Sequence, residues 1–369
     1  MNEEMQQILG QIKGVIAEFG LFPPQGRVIV GLSGGADSMA LTHFLVYHTN
    51  LQVLAAHVNH GLRGSAADQD EEVVRRWCEE NGIPLRVLHA DVKQQARERN
   101  LGLEECGREV RYAFFQELAD RETDRIATAH TLSDQVETVL LHLTRGAGLR
   151  GLCGIPPVRG KIVRPFLRIT REQVEAYCRF YHLPYVTDQT NADRGFARNR
   201  VRLDVVPALK AVNPALEREI AGMTARLARD EAYLQEEAQR AVERAKTPNG
   251  YSRTELAALP TAILVRALER ILRRAGGAQP EAIHLEQAAA MVRAGRGSLS
   301  APGGIQLAVQ GNTLFVAQKP LPPWSLPVTG KTTRLPDGRM AALRKIHKKD
   351  LENQNKFKNL LFHNCINYD

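Results

Sequence analysis

Four short apolar runs, each followed by a stretch of helical spacing, constrain this chain more than any other feature. RVIVGLS (27–33), QVLAAHV (52–58), PLRVLHADV (84–92) and RIATAH (125–130) alternate with candidate helices near 36–48, 66–81, 104–121 and 133–145. Runs this dense in apolar residues predict strands of a parallel sheet whose two faces are covered by the intervening helices. An amphipathic helix precedes them, with Met5, Ile8, Leu9, Ile12, Val15, Ile16 and Phe19 at helical spacing and Gly20 at its end. The expected fold class is therefore α/β, a doubly wound parallel sheet, and ligands of such sheets bind at the carboxyl ends of the strands. Ser33–Ser38 follows the first strand, His57–Arg63 the second and His130–Glu137 the fourth.

At 369 residues the chain suits two or three domains. A charged helical stretch from about Leu209 to Lys246 reads as a connector. Helices near 253–276 and 283–294 and the strand candidates GGIQLAV and TLFVAQ then predict a smaller α+β domain. The expected division is 1–208 catalytic, 209–249 connector, 250–320 small domain, and 321–369 a linker with an incomplete or atypical C-terminal region. Beyond Arg344 the composition shifts to five Lys, five Asn and no Arg.

The net charge of +8 favours a polyanionic partner. The five cysteines are scattered, without a CxxC pair or zinc-ligand spacing, which fits a reduced, cytoplasmic setting. The start MNEEMQQILGQIKG lacks the basic and apolar regions of a signal peptide, and no run reaches the roughly 18 apolar residues of a membrane span. No membrane partner is expected.

GLSGGADSMA (31–40) places two adjacent glycines between serines, directly after the first apolar run. A bare strand-to-helix turn lets backbone N–H groups converge, and the positive end of the helix dipole reinforces them, so the turn suits a phosphate chain. A Walker A loop would need GxxxxGK[ST], and no lysine follows these glycines.

SGGADS resembles the pyrophosphate-binding loop of the N-type ATP pyrophosphatases, which cut ATP between the α and β phosphates and place AMP on an acceptor. HVNHGLR (57–63), ECGREVRY (105–112), ATAHTLSDQVETVLLHLTRGAGLRGLCGIPP (127–157) and DQTNADRGFARNRVR (188–202) narrow the resemblance to the tRNA(Ile)-lysidine synthetases. It is strong over about the first 210 residues and looser over 250–320.

The resemblance implies an adenine nucleotide alpha hydrolase-like fold. It also implies ATP-dependent adenylation of the C2 oxygen of the wobble cytidine in the CAU anticodon of tRNA(Ile), then displacement of AMP by the ε-amine of free L-lysine. Ser33, Gly34, Gly35, Ala36, Asp37, Ser38 and His57 would bind ATP, with Asp37 holding Mg2+. Asp37, His130, Asp134, Arg108 and Arg198 would carry catalysis, and Asp134 and Glu137 would bind lysine. Arg63, Arg111, Arg145, Asn199 and Arg202 would contact RNA, and a homodimer is compatible with all of this. The family's HHxDDxxET reads HTLSDQVET here, with Thr131 and Ser133 in place of a His and an Asp, and Gly107 stands where Ala is common.

Two alternatives remain besides small-molecule amidation with the same loop, as in GMP or NAD synthesis, which gives no reason for the Arg-rich RNRVR segment. Thiolation of a tRNA base uses the same activation, but the cytidine-thiolating relatives place CxxC pairs that this chain lacks. A tRNA-binding homologue with impaired catalysis is the other, suggested by Thr131 and Ser133.

Overall fold

The computed structural model describes residues 2–24, 26–62, 64–186, 194–276, 278, 280–318, 332–334 and 340–342. Arg63, the whole DQTNAD segment (188–193) and the Lys/Asn-rich tail lie outside the described residues. The chain divides into two compact units, residues 1–231 and 232–369.

Unit 1 opens with α1 (Glu3–Phe19), capped by the Asn2 side chain, which accepts the Met5 N–H, and closed by Gly20 in the left-handed conformation. There follow β1 (Arg27–Gly31), α2 (Ala36–Tyr47), β2 (Gln52–Asn59), α3 (Ser65–Glu80), β3 (Leu85–His89), α4 (Val92–Arg99), α5 (Leu103–Leu118), β4 (Arg125–Ala127) and α6 (Leu132–Thr144). Next come α7 (Leu149–Leu152), the hairpin β5 (Val158–Arg159) and β6 (Ile162–Val163), and α8 (Arg171–Phe180). The unit ends with α9 (Ala197–Arg200), a π-helical turn (Val201–Val205), α10 (Val206–Val212) and the first half of α11 (Leu216–Ala245).

The sheet order is β3-β2-β1-β4-β6-β5. Every pair is parallel except β5 with β6, so the expected parallel sheet carries an antiparallel edge that strand-length patterning did not show. Val28, Ile29 and Val30 are each at most 1% exposed, as a strand covered on both faces requires. On one face α1, α2 and α8 pack Ile8, Ile12, Phe44 and Tyr177 into a single cluster with Phe166 of the loop before α8. On the other, Phe115 of α5 lies over Ile29, Ala56 and Ile126. Phe115 comes so close to β1 that a Cβ on Gly31 would sit 2.8 Å from its ring, so only glycine fits there.

After β1 the chain adds β2 and β3 on one side, and β4 then pairs with β1 on the other. This reversal opens a crevice at the carboxyl ends of β1 and β4.

Unit 2, by itself, is a five-stranded antiparallel sheet of order β7-β8-β11-β10-β9, made of β7 (Lys246–Thr247), β8 (Gly250–Ser252), β9 (Gly297–Ala301), β10 (Ile305–Gln310) and β11 (Thr313–Gln318). Helices α12 (Arg253–Ala257), α13 (Thr261–Arg274) and α14 (Ala282–Ala294) accompany it. Leu264, Leu268, Ile271 and Leu272 of α13 share a core with Val292, Ile305, Leu307 and Leu314. The helix expected over 253–276 is broken at Pro260, which begins α13 where its missing N–H costs nothing. A further hairpin joins β12 (Thr332–Arg334) to β13 (Met340–Ala342).

Candidate functional site

β1 ends at Gly31, and Gly34, at φ +89°, turns the chain into α2. The serines brace the turn from inside: the Ser33 N–H donates to Ser38 Oγ at 3.1 Å, and Ser38 Oγ–H donates to the Gly35 carbonyl at 2.9 Å. Gly35 is the N-cap of α2 and supplies no side-chain cap. The N–H groups of that first turn therefore remain available, with the helix dipole behind them. This is an anion cradle.

Asp37 stands in the same turn. Burial, with Asp134 nearby, pushes its carboxyl up to about 6 against the pull of Arg171 and Arg202. Its Oδ1 is buried and has no hydrogen-bond partner among the described residues. An orphaned carboxylate oxygen beside an anion cradle fits a cation bound together with a phosphate chain. No group of three or more metal-binding side chains exists among the described residues, so Asp37 would be a lone protein ligand, the arrangement Mg2+ accepts when phosphates and water complete its shell.

On β2, the His57 Nδ1–H donates to the Leu32 carbonyl at 2.8 Å, one residue before the turn. That bond leaves Nε2 as an acceptor, and burial lowers the ring's pKa, favouring the neutral form.

At the end of β4 stands His130, whose Nδ1 lies 3.0 Å from Thr128 Oγ1. Burial, helped by Arg164, Arg198 and Arg108, lowers it to about 4 in spite of Asp134. Thr131 caps α6 by accepting the Asp134 N–H, and Asp134 Oδ2 in return accepts the Thr131 N–H at 2.9 Å. The other oxygen, Oδ1, is 3.0 Å from an Arg198 guanidinium nitrogen. Burial would raise the Asp134 carboxyl, but Arg198, the Thr131 N–H and other cations hold it below the usual carboxylate range.

One turn on, Glu137 is buried and accepts from Arg198 Nε at 2.8 Å and from Arg202 Nε at 2.5 Å. Arg198 stands on α9 and Arg202 in the π-helical turn that follows it, both against Glu137, and such turns concentrate at functional sites. Arg171, at the start of α8, reaches Asp37, Asp134 and Glu137 at 4.0, 3.8 and 3.9 Å. Sequence reasoning missed it, because TREQ reads only as a capping box, which it also is.

Arg108 is exposed, with its guanidinium 5.0 Å from the Tyr112 ring centre, and Arg111 is exposed on the same helix. Asn199 is half-buried beside Arg198. Arg145 is not part of the cluster: it is the exposed C-cap of α6, about 16 Å along the helix from Asp134 at 1.5 Å per residue.

A PP-loop domain profile matches residues 2–209. The tRNA(Ile)-lysidine synthase of Geobacillus kaustophilus is 33% identical over 81% of this chain and 68% of its own length. The chain belongs to the PP-loop family, among the tRNA(Ile)-lysidine synthases. The Geobacter sulfurreducens enzyme of that name is 42% identical over 62% of this chain and 49% of its own length. The chain spans about half the length of several curated relatives it matches. Among solved structures, the PP-loop fold is shared with the U34-tRNA thiolase NcsA of Methanococcus maripaludis, with TM-score 0.51, 19% identity, and coverage of 61% of this chain and 79% of that one.

The positions that depart from the PP-loop pattern all have ordinary surroundings. Thr131 is the α6 cap. Ser133 Oγ–H donates to Glu217 at 2.7 Å and accepts the Arg171 N–H at 3.1 Å. A Cβ on Gly107 would make normal 3.7 Å contacts with His60 and Val92, so alanine fits there equally well. No described helix is long and apolar enough to cross a membrane.

Proposed function

We propose that the protein is a tRNA(Ile)-lysidine synthase, using ATP and free L-lysine to convert the wobble cytidine of a CAU anticodon to lysidine in the cytoplasm. The observation that carries the reading is the meeting of two half-sites in one crevice. Asp37 with its open cradle lies on one side, and the Asp134–Glu137 pair lies within reach of it through Arg171.

Adenylation joins the cytosine O2 to the α phosphorus and expels pyrophosphate. The N–H groups of the Gly34–Ser38 turn receive the departing phosphates, and Asp37 would hold Mg2+, which supplies charge neutralisation to the phosphate oxygens when bound. His130, neutral above pH 4 or so, offers an uncharged hydrogen-bonding ring beside the base. His57 is tied through Nδ1 to the Leu32 carbonyl at the start of the same turn.

The second step needs a lysine ε-ammonium to be held and then deprotonated. Asp134 and Glu137 are largely buried acids suited to holding a cation, but both already contact guanidinium groups. Lysine must therefore share or displace them. A splayed anticodon base suits recognition at an open crevice, and Arg111, Asn199, Arg202, the exposed Arg145 and, by sequence alone, Arg63 are the RNA contacts assigned here.

The lack of a CxxC pair favours this reading over thiolation, and two of the five cysteines are poor sulfur carriers besides. Burial pushes the Cys78 and Cys178 thiols up to about 11 and 12, so neither supplies a thiolate at neutral pH. The test is incubation with ATP, Mg2+, labelled lysine and a tRNA(Ile) transcript bearing CAU. Label joining the RNA supports the proposal. No label, while a competent relative succeeds alongside, overturns it, and pyrophosphate release without lysine transfer would mark an impaired homologue.

A further inference from the structure

Arg171 differs from the other two arginines of the cluster. Arg198 and Arg202 make hydrogen bonds of 2.5–3.0 Å to the carboxylates. Arg171 comes no closer than 3.8 Å to any of them, beyond hydrogen-bond range, and its side chain has no hydrogen bond among the described residues. Its backbone is nevertheless fixed. The Arg171 N–H donates to Ser133 Oγ at 3.1 Å, the Leu132 N–H to the Ile169 carbonyl at 2.8 Å, and Thr170 closes a capping box with Gln173. The first turn of α8 is thus tied to the first turn of α6, while the guanidinium extends between Asp37 on α2 and Asp134 and Glu137 on α6. The side chain is 27% exposed, so a ligand can reach it.

A positioned, partly exposed guanidinium with unspent donors, flanked by a cation-binding acid on one side and amine-binding acids on the other, has the form of an anion clamp. Resting on the reaction proposed above, we propose that Arg171 binds the α-phosphate of ATP and keeps it through both chemical steps. In the first, the bond from the α phosphorus to the bridging oxygen breaks with its electron pair going to pyrophosphate, and the bond to the cytosine O2 forms. In the second, the lysine nitrogen bonds to C2 and gives up its proton to a neighbouring base or water, while the C2–O bond breaks with its pair passing to AMP. The same phosphate is electrophile in one step and leaving group in the other. Only a cation standing between the half-sites meets it both times.

The test separates the steps. Pyrophosphate release without lysine measures adenylation, and a lysine chase of adenylated tRNA measures transfer. Arg171→Gln is expected to slow both by about 10²-fold, the loss typical of one electrostatic donor, and Arg171→Lys to restore at least about tenfold in each. AMP and inorganic pyrophosphate, titrated separately by calorimetry, give a readout that needs no turnover. AMP affinity should fall about tenfold in Arg171→Gln and pyrophosphate affinity should stay within about twofold. Unchanged AMP affinity, a wild-type rate in either step, or equal defects in the Lys and Gln variants accompanied by lowered melting temperatures would overturn the proposal. If the wild-type protein makes no lysidine, the reaction assigned above fails, and the AMP titration still decides whether Arg171 clamps phosphate.

Discussion

At the end of β1 hydrogen-bonding capacity is left open, whereas around the end of β4 nearly all of it is used. The turn from Ser33 to Ser38 satisfies its own hydroxyls and, among the described residues, leaves the first amides of α2 and one oxygen of Asp37 without partners. Glu137 is saturated by Arg198 and Arg202, and Asp134 by Arg198 and its own cap. The first arrangement waits for a polyanion and its counter-ion. The second is a set of paired charges that admits a new cation only by sharing or displacing its guanidinium groups. In the reaction proposed above, the open turn would take the polyanion and the paired acids the amine, so one crevice would receive two substrates of opposite charge.

The strongest way to break the comparison is at its open end. Asp37→Ala should reduce tRNA-dependent pyrophosphate release by at least about 10²-fold, and undiminished release would remove Asp37 from the metal-holding role. At the closed end, Glu137→Gln should raise the lysine KM about thirtyfold, equivalent to about 2 kcal/mol for a lost charged contact. Pyrophosphate release measured without lysine should stay within about threefold, and an equal fall in both would mean the two halves are not separable.

Two adjacent glycines sharpen the contrast further. Gly34 has φ +89° and a Cβ there would lie 3.3 Å from Val74, so Gly34→Ala should cost about 1–2 kcal/mol in urea unfolding. A Cβ on Gly35 meets nothing closer than 3.7 Å. Gly35→Ala should therefore unfold within about 0.5 kcal/mol of the parent yet bind ATP more weakly, because the methyl occupies the space of the cradle rather than of the core.

The smallest expected effect concerns pH. Burial lifts the Asp37 carboxyl to about 6 from its ordinary 3.8, so between those values the folded state binds the extra proton and stability falls as pH rises. Above pH 6 the full penalty is present. Asp37→Asn should then be more stable than the parent by on the order of 1 kcal/mol, discounted for partial exposure, with the difference shrinking toward pH 4. A pH-independent difference would place the titration elsewhere.

What could be read from the sequence was local. The alternation of apolar runs gave β1 to β4 and their helices, and the bare Ser-Gly-Gly turn gave the cradle, because period and turn chemistry act within a few residues. The edge hairpin was not legible, since Val158–Arg159 and Ile162–Val163 are too short to carry a period. Nor was β9, whose Gly-Ser-Leu-Ser-Ala reads as a loop. The helix drawn from Leu209 to Lys246 is interrupted after Val212, where Asn213 precedes a proline and leaves the helical region. Asp134, Glu137 and Arg198 came from a motif resemblance, but their mutual contacts did not. Arg171 was invisible because nothing in Thr-Arg-Glu-Gln signals what lies opposite it in space.

The wide turn at Val201–Val205 has a consequence of phase. Accommodating one residue more than an α-helical turn requires, it sets the chain beyond it back by about 100° around the axis relative to an uninterrupted helix. The side of α10 that faces inward is thereby one residue out of register with the side of α9 that carries Arg198. Gaining or losing a single residue at this point, rather than replacing one, is the change that would re-index every downstream side chain while leaving the acids on α6 untouched.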